Sequence, residues 1–287
     1  MNETELIQAL MGKTIYVVSD LHLGDKTEKD NFMDFEERFS DFFKNKIEKN
    51  PNAILVLNGD IFEFWQSQHG TIVKKYLPLL KRLIKHKSIF VVGNHDIDLA
   101  GFVDTKIKNE FLDLLANDIF LPTQQGKIIH ICHGHQFDIF NTPEKSAFGG
   151  KIISLIMGEV EMKTGNKING VAVETVARRV FEPIFRKIMI WILKFYNKFF
   201  NKTQGDKEAM TTKEVLKAYH ALYPDNILIC GHTHIPGQYW DYYVNEGCWF
   251  KPDYAYYVKI TPSSNITLHK WPSNAIIKDQ MFDDYKG

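Results

Sequence analysis

The sequence has few cysteines, no long apolar run and no excess of charge, and each absence excludes a class of protein. Three cysteines in 287 residues, without paired spacing, do not make a disulfide framework and favour a reducing compartment. The apolar run Ile188–Leu193 is far shorter than the roughly 20 residues that span a bilayer. The 35 basic and 35 acidic residues cancel, so we expect no nucleic-acid partner.

The N-terminal residues have no apolar stretch typical of a signal peptide. With the odd cysteine count, this predicts a cytoplasmic protein, either free or at the inner face of the membrane. An apolar fraction of 44% and a charged fraction of 24% are typical of a globular domain.

Short β-branched segments alternate with helical patterns along the chain. Five of these segments are predicted strands that end next to Asp, Asn, Gly or His: Thr14–Val18, Ala53–Leu57, Ser88–Val92, Lys127–Cys132 and Asn226–Cys230. Phe32 to Ile47 and Ile72–Ile84 have apolar residues at helical spacing. Further strands are predicted at Gln238–Val244, Tyr254–Ile260 and Asn265–His269. Together they predict one α/β (α+β layered) domain over residues 1–287.

Residues 143–204 have no strand pattern and interrupt the order of strands. Within them, Val176–Lys202 contains seven basic residues and only Glu182 as an acid, among many large apolar side chains. We interpret residues 143–204 as a helical insertion, a cap. A basic aromatic helix can lie at a membrane interface, and the alternative is a core helix with solvated lysines.

Five polar motifs follow the five strands in order: Asp-x-His, Gly-Asp, Gly-Asn-His-Asp, His-Gly-His and Gly-His-x-His. They supply three carboxylates, one amide and six histidines, a ligand set that suits Mn, with Fe or Zn as alternatives. Two such ions can share a carboxylate and promote in-line displacement at phosphorus. Each motif alone could be a turn or a strand end, but all five in this order indicate a metal site.

This set of motifs resembles that of the calcineurin-like metallophosphoesterases, and the resemblance covers most of the chain outside the insertion. It implies a β-sandwich flanked by helices, with two divalent metal ions at the strand ends. It also implies that one ion is held by Asp20, His22, Asp60 and His234, and the other by Asp60, Asn94, His133 and His232, with Asp60 shared.

Three further residues of these motifs have no ligand role under that resemblance. His95 is placed to protonate the leaving group or to stabilise developing charge. Asp96 is the expected orienting partner of His95. His135 is expected either to contact substrate or to be structural.

The stretch Gly59-Asp60-Ile61-Phe62-Glu63-Phe64-Trp65 is similar to a motif of the UDP-2,3-diacylglucosamine hydrolases of lipid A synthesis. In those enzymes a helical insertion after the fourth motif caps the site and holds acyl chains. The resemblance therefore implies a nucleotide-sugar lipid as substrate and peripheral association with the membrane. It makes Phe62, Trp65, Arg178 and Arg179 candidate substrate contacts, while packing is the alternative role of the aromatic residues.

The chain departs from those hydrolases at His95, where they usually have arginine. The sequence therefore leaves open a general metal-dependent phosphodiesterase or phosphatase that acts on another nucleotide or lipid phosphoester. A nuclease is disfavoured by the zero net charge. A binding scaffold with an inactive site is disfavoured because every ligand position is filled.

Overall fold

Two β-sheets form the framework of this computed structural model. It describes residues 2–28, 30–103, 107, 109–137, 216–253, 255–273 and 275–276. These residues belong to one unit of the chain, made of residues 1–137 and 216–287. The predicted insertion at residues 143–204 lies outside the described residues, and so do Arg178 and Arg179.

The first sheet has seven strands in the order β12-β11-β10-β1-β2-β3-β4. Its members are β1 (Thr14–Val18), β2 (Ala53–Asn58), β3 (Ile89–Val91), β4 (Leu115–Ala116), β10 (Tyr256–Ile260), β11 (Ile266–Lys270) and β12 (Ala275–Ile276). Strands β1 to β4 are parallel, whereas β10 pairs antiparallel with β1. Every residue of β2 is buried, as expected of a central parallel strand covered on both faces.

The second sheet has five strands in the order β5-β6-β7-β9-β8. Its members are β5 (Ile119–Pro122), β6 (Ile128–Ile131), β7 (Asn226–Cys230), β8 (Gly237–Tyr239) and β9 (Tyr243–Asn245). Strands β6, β7 and β9 run parallel to one another. Their inward side chains belong to the same hydrophobic cluster as those of β1 and β2, so the two sheets share a core.

The described residues include three α-helices with both ends defined: α1 (Glu3–Leu10), α2 (Glu36–Phe43) and α3 (His69–Lys85). Short 3-10 helices cover Met33–Phe35, Ile97–Phe102, Leu112–Leu114 and His135–Phe137, a π-helix covers Lys44–Glu48, and residues 216–222 are helical. The predicted apolar stripe from Phe32 to Ile47 is buried except at Phe35, which is partly exposed, and it extends over three successive helix types. No helix in the described ranges is both long and apolar enough to cross a membrane.

The mixed sheets and helices confirm the predicted α/β fold. One predicted strand, Gln238–Val244, is wrong in detail because the chain reverses inside it and forms the antiparallel pair β8 and β9. Trp240 lies at the reversal in a left-handed conformation (φ 55°). Tryptophan rarely adopts this conformation, so the sequence carried no turn signal there.

Candidate metal centre

The seven candidate ligands lie at the carboxyl ends of five parallel strands from the two sheets. They follow β1 (Asp20, His22), β2 (Asp60), β3 (Asn94), β6 (His133) and β7 (His232, His234). The pairing of β1 with β2 continues past the strand ends, because His22 N donates to Asp60 O at 3.0 Å. Backbone hydrogen bonds therefore hold the loops after β1 and β2 in register.

The backbone at this edge is unusual, since five of the seven candidate ligands have positive φ. They are Asp20 (53°), His22 (53°), Asp60 (51°), His232 (65°) and His234 (58°). Non-glycine residues adopt this region rarely, and the strain of order 1–3 kcal/mol per residue concentrates at functional sites. The five positive φ values therefore mark this edge as a candidate functional site.

One group of donors consists of Asp20, His22 and His234, whose ligand atoms lie within 4.8 Å of one another. Asp20 Oδ1 is 3.0 Å from His234 Nε2 and 3.8 Å from His22 Nε2. Neighbouring ligands around an ion at about 2.1 Å lie roughly 3 Å apart, so these separations suit a shared ion. The other oxygen, Asp20 Oδ2, accepts hydrogen bonds from Ser19 Oγ and His232 N.

A second group consists of Asp60, His133 and His232, again within 4.8 Å of one another. Asp60 Oδ2 is 3.1 Å from His133 Nε2 and 3.9 Å from His22 Nε2, which belongs to the first group. Its other oxygen, Oδ1, accepts from His95 N at 2.8 Å. Asp60 therefore lies between the two groups, the position that a bridging carboxylate needs.

Four buried atoms of the seven candidate ligands make no hydrogen bond with the described residues. They are Asp20 Oδ1, His22 Nε2, Asn94 Oδ1 and His133 Nε2. An unpaired buried polar atom costs about 1–3 kcal/mol, so four at one place require an explanation. All four are oxygen or imidazole donors, and two divalent ions, one in each group, would satisfy them. The residues present therefore fit the expected metal ions.

The Nδ1 atoms of two candidate ligands, His133 and His22, are held by neighbouring groups. His133 Nδ1 lies 2.9 Å from the carbonyl oxygen of Asn58, and His22 Nδ1 lies 2.8 Å from Glu63 Oε2. Such contacts fix Nδ1 as the protonated nitrogen and leave Nε2 free to bind a metal. The candidate ligands are thus oriented before an ion binds.

Glu63 is a functional residue to which the sequence analysis gave no role. It is buried, and its second oxygen, Oε1, lies 2.8 Å from His95 Nδ1. One carboxylate therefore orients both a candidate ligand, His22, and the candidate acid, His95. The sequence feature that could have indicated this role is its position in the segment from Gly59 to Trp65, three residues after Asp60.

Asp96 has a different role from the predicted one. Its oxygens accept from the backbone N–H groups of Gly93 (2.5 Å), Ile61 (2.8 Å) and Phe62 (3.3 Å). The carboxylate therefore ties the loop after β3 to the loop after β2, and Glu63 makes the contact with His95 that was expected of Asp96. Although Asp96 follows His95 in sequence, its carboxylate binds these backbone groups and not the His95 ring. Sequence adjacency therefore did not identify the residue that orients His95.

The two aromatic substrate candidates lie in different environments. Phe62 is buried and stacks with Phe64 at a centroid distance of 5.3 Å, which is a packing role rather than the expected substrate contact. Trp65 is 53% exposed, and its ring stacks on that of His95 at 3.9 Å. Of the two, only Trp65 offers an accessible face beside the centre.

His135 is buried behind the second group, with its ring centroid 5.6 Å from that of His133. Burial, together with the positive charge of His133 and His232, lowers the pKa of His135 to about 4. The ring is therefore neutral at physiological pH. Its burial favours the structural alternative over substrate contact.

Carboxylates and imidazoles in the centre stabilise one another's charged forms in the absence of metal. Burial raises the pKa of Asp20, but the positive charge of His234 and contacts with His22 and His234 outweigh it and hold that pKa well below its usual value. Burial lowers the pKa of His133, but the negative charges of Asp60 and Asp20 raise it to about 10. A bound cation would replace these protons as the counter-charge of the carboxylates.

The loops approach so closely that a side chain is excluded at Gly93. A Cβ atom there would lie 2.3 Å from both the backbone nitrogen and Oδ1 of Asp60. The glycine of Gly-Asn-His-Asp is thus required by the position of the Asp60 carboxylate, which the sequence pattern did not reveal.

The geometry provides two adjoining donor groups with Asp60 at their boundary, and His95 is held beside them, where it could transfer a proton. Divalent ions bound there would supply Lewis-acid activation of water and of phosphoryl oxygens. The centre is therefore suited to metal-dependent hydrolysis of a phosphoester.

Comparison with known proteins agrees with this geometry. Residues 13–236 match the family model of the calcineurin-like phosphoesterases, a range that includes all seven candidate ligands. Comparison with curated protein sequences finds no match. Among solved structures, the chain is similar to a protein of unknown function from Aquifex aeolicus, at 16% identity over 53% of this chain and 74% of that chain, with a TM-score of 0.27. The chain therefore belongs to the calcineurin-like phosphoesterase family, a group of metal-dependent hydrolases.

Proposed function

We propose that this phosphoesterase hydrolyses the pyrophosphate bond of UDP-2,3-diacylglucosamine and releases UMP and lipid X, a step of lipid A synthesis. The observation that carries the proposal is the segment from Gly59 to Trp65, which resembles the motif of those hydrolases. In this segment Asp60 belongs to the second donor group, and its Oδ2 lies 3.9 Å from His22 Nε2 of the first. Glu63 contacts the rings of His22 and His95, and the ring of Trp65 stacks on that of His95.

Trp65 supports a substrate with a flat ring. Its exposed indole ring lies against His95, and a nucleobase or sugar ring can stack on such a surface beside the reacting phosphate. We propose that the exposed part of the Trp65 ring, which His95 does not cover, positions the uridine part of the substrate. Phe62, in contrast, supports Trp65 indirectly by packing the loop from within.

His95 is the proposed proton donor to the leaving phosphate. The contact between its Nδ1 and Glu63 Oε1 fixes the ring and leaves Nε2 as the atom that exchanges a proton with substrate. The backbone N–H of His95 binds Asp60, so the position of the acid is linked to that of the bridging carboxylate.

We propose manganese as the natural metal. Oxygen donors come from Asp20, Asp60 and Asn94, and this share of hard ligands favours Mn over Zn, with Fe as an alternative. We also propose that the basic aromatic sequence Val176–Lys202, which includes Arg178 and Arg179, attracts anionic lipid at the inner face of the membrane.

A second candidate function is favoured by His95 itself. The lipid A hydrolases usually have arginine at this position, whereas this chain has the histidine of general phosphoesterases. A metal-dependent phosphodiesterase or phosphatase for another nucleotide or lipid phosphoester is the alternative, and it needs no interaction with membranes.

The test is release of UMP from UDP-2,3-diacylglucosamine by the purified chain with Mn, beside hydrolysis of a generic aryl phosphodiester. We expect Asn94→Ala to abolish both activities, because both use the metal centre. Trp65→Ala should raise KM for the UDP lipid, because the uracil ring loses the surface on which it is proposed to stack. Trp240→Ala, which removes a partly exposed tryptophan of the reversal between β8 and β9, is the matched control.

The outcomes separate the two candidates. Release of UMP that Asn94→Ala abolishes would support the lipid A role. Hydrolysis of the aryl ester with intact UDP lipid would discard that substrate and favour the general phosphodiesterase.

A further inference from the structure

A second set of metal-binding side chains lies on the second sheet, on the face opposite the shared core. Side chains of β6 alternate, so that Ile129 and Ile131 enter the core while His130 and Cys132 face the other way. Asp118 immediately precedes the neighbouring strand β5. These three residues have no role in the phosphoesterase centre described above.

The donor atoms of Asp118, His130 and Cys132 converge. All three lie within 4.8 Å of one another, and Asp118 Oδ1 is 3.3 Å from His130 Nε2. Ligands about 2.1 Å from a tetrahedral ion are roughly 3.4 Å apart, so this distance suits adjacent ligands. His130 and Cys132 are buried, and the side chain of Asp118 is 37% exposed, so an ion can enter from the side of the carboxylate.

Neighbouring groups orient these donors as the surroundings of a metal site do. The Tyr219 hydroxyl lies 2.7 Å from His130 Nδ1 and accepts a hydrogen bond from Asn226 Nδ2 at 2.8 Å. A histidine that binds a metal through Nε2 donates its other N–H to such an acceptor. Gln136 Nε2 donates to Asp118 Oδ1 at 3.3 Å. The ring of Phe120 stacks on His130 at 4.2 Å and limits its rotation.

We propose that Asp118, His130 and Cys132 form a separate site for a divalent ion of the zinc class. A set of one carboxylate, one imidazole and one thiolate suits a borderline-soft ion, with water in the remaining position. The ion joins the start of β5 to the end of β6. Because Cys132 directly precedes His133, it also fixes the end of the strand that carries a ligand of the phosphoesterase centre.

The thiolate gives this site a signature that the phosphoesterase centre cannot give. All seven candidate ligands of that centre are oxygen or nitrogen donors. In protein loaded with Co(II), a near-ultraviolet band from thiolate-to-cobalt charge transfer therefore reports the proposed site alone. This readout does not depend on the substrate, or even on phosphoesterase activity.

The experiment compares the Co(II)-loaded full chain with Cys132→Ser and Cys248→Ser. We expect the wild type and Cys248→Ser to show the band and Cys132→Ser to lose it. Cys248 is the matched control, since it is also a buried free thiol but lies outside the group. A missing band in the wild type, or a band that persists in Cys132→Ser, would overturn the proposal.

A second variant covers the case in which Cys132→Ser fails to fold. Asp118→Asn changes a partly exposed side chain, and we expect this protein to bind one zinc ion fewer per chain than the wild type by elemental analysis. Asp113→Asn, another acidic residue that precedes a strand of the framework, should keep the wild-type content. Equal zinc contents in the wild type and Asp118→Asn would contradict the site.

Discussion

The carboxylate of Glu63 contacts two histidines that have different functions in the centre. Through Oε2 it orients His22 as a ligand, and through Oε1 it orients His95 as the proposed acid. Burial raises the pKa of Glu63, but hydrogen bonds with His22 and His95 and their positive charge outweigh it and lower that pKa to about 2. Glu63 is therefore ionised throughout the physiological range and can accept from both rings.

Glu63→Gln should weaken metal binding and catalysis together. Glutamine keeps the size but has only one oxygen acceptor, so at least one histidine loses its fixed orientation. We expect manganese affinity and kcat/KM on an aryl phosphodiester each to fall by about 10–100-fold, as is typical when a residue that orients a metal ligand is replaced. Isothermal titration and steady-state kinetics measure the two effects.

The control is Glu48→Gln, which removes a partly exposed carboxylate paired with Arg82. It should leave both quantities near the wild-type values, because surface ion pairs contribute little. If Glu63→Gln keeps wild-type affinity and the wild-type pH–rate profile, Glu63 is not a positioning residue.

At the scale of elements, the centre depends on how the loops after β2 and β3 meet. Asp96 binds three backbone N–H groups and so joins these loops, while Gly93 allows the backbone of one to touch Asp60 of the other. Burial, together with the negative charge of Asp60, raises the pKa of Asp96 to about 6. The arrangement holds two like charges near each other, which favours binding of a cation between the loops.

Gly93→Ala should disrupt the centre because the added Cβ would lie 2.3 Å from Asp60. The bridging carboxylate must move, so we expect loss of most metal binding and at least a 100-fold fall in activity, an effect of the order seen when catalytic geometry is displaced by about 1 Å. Metal content and activity on an aryl phosphodiester are the measurements.

Gly70→Ala provides the comparison within α3. A Cβ there meets nothing within 4 Å, and alanine favours a helix by about 1 kcal/mol over glycine. Activity should be unchanged and stability equal or slightly higher. Full activity in Gly93→Ala would show that the loops after β2 and β3 can move apart without a loss of metal binding or catalysis.

At the scale of the whole molecule, the centre joins the two sheets. Asp20, His22, Asp60 and Asn94 follow strands of the first sheet, whereas His133, His232 and His234 follow strands of the second. Bound metal should therefore stabilise the fold as well as supply chemistry.

Removal of metal with a chelator should lower Tm, and added manganese should restore it. At free metal 100 times Kd the gain is about 2.7 kcal/mol, which corresponds to a Tm rise of roughly 5–10 °C for a chain of this size. Calorimetry of the stripped and reloaded protein measures the change. Asn94→Ala, which removes one ligand, should show a smaller rise.

The stabilisation by metal should increase with pH. Asp20, Glu63 and Asp60 raise the pKa of His22 to about 10 against the effect of burial, and that of His133 is also about 10. Below this pH the metal-free histidines hold protons that metal must displace, so affinity rises as pH rises towards about 10. The manganese-induced Tm shift should be larger at about pH 8 than at about pH 6. A larger shift at about pH 6 would contradict the claim that His22 and His133 are protonated before metal binds.

Sequence patterns alone predicted the strands that carry the candidate ligands, and the resemblance to the calcineurin-like phosphoesterases implied which seven residues those ligands are. Strands Thr14–Val18 and Asn226–Cys230 agree with the predicted bounds because buried parallel strands are continuous β-branched runs. The order of the motifs was equally visible, since each follows its strand directly. Local pattern and local structure coincide in these segments.

Only the tertiary structure decided which residues support the ligands. Glu63 reaches His22 and His95 across 41 and 32 residues of sequence, whereas Asp96, next to His95, contacts the backbone of another loop. His130 and Cys132 likewise meet Asp118 only because β5 and β6 pair. Such contacts depend on strand pairing and on φ values at loop residues, which periodicity along the chain does not encode.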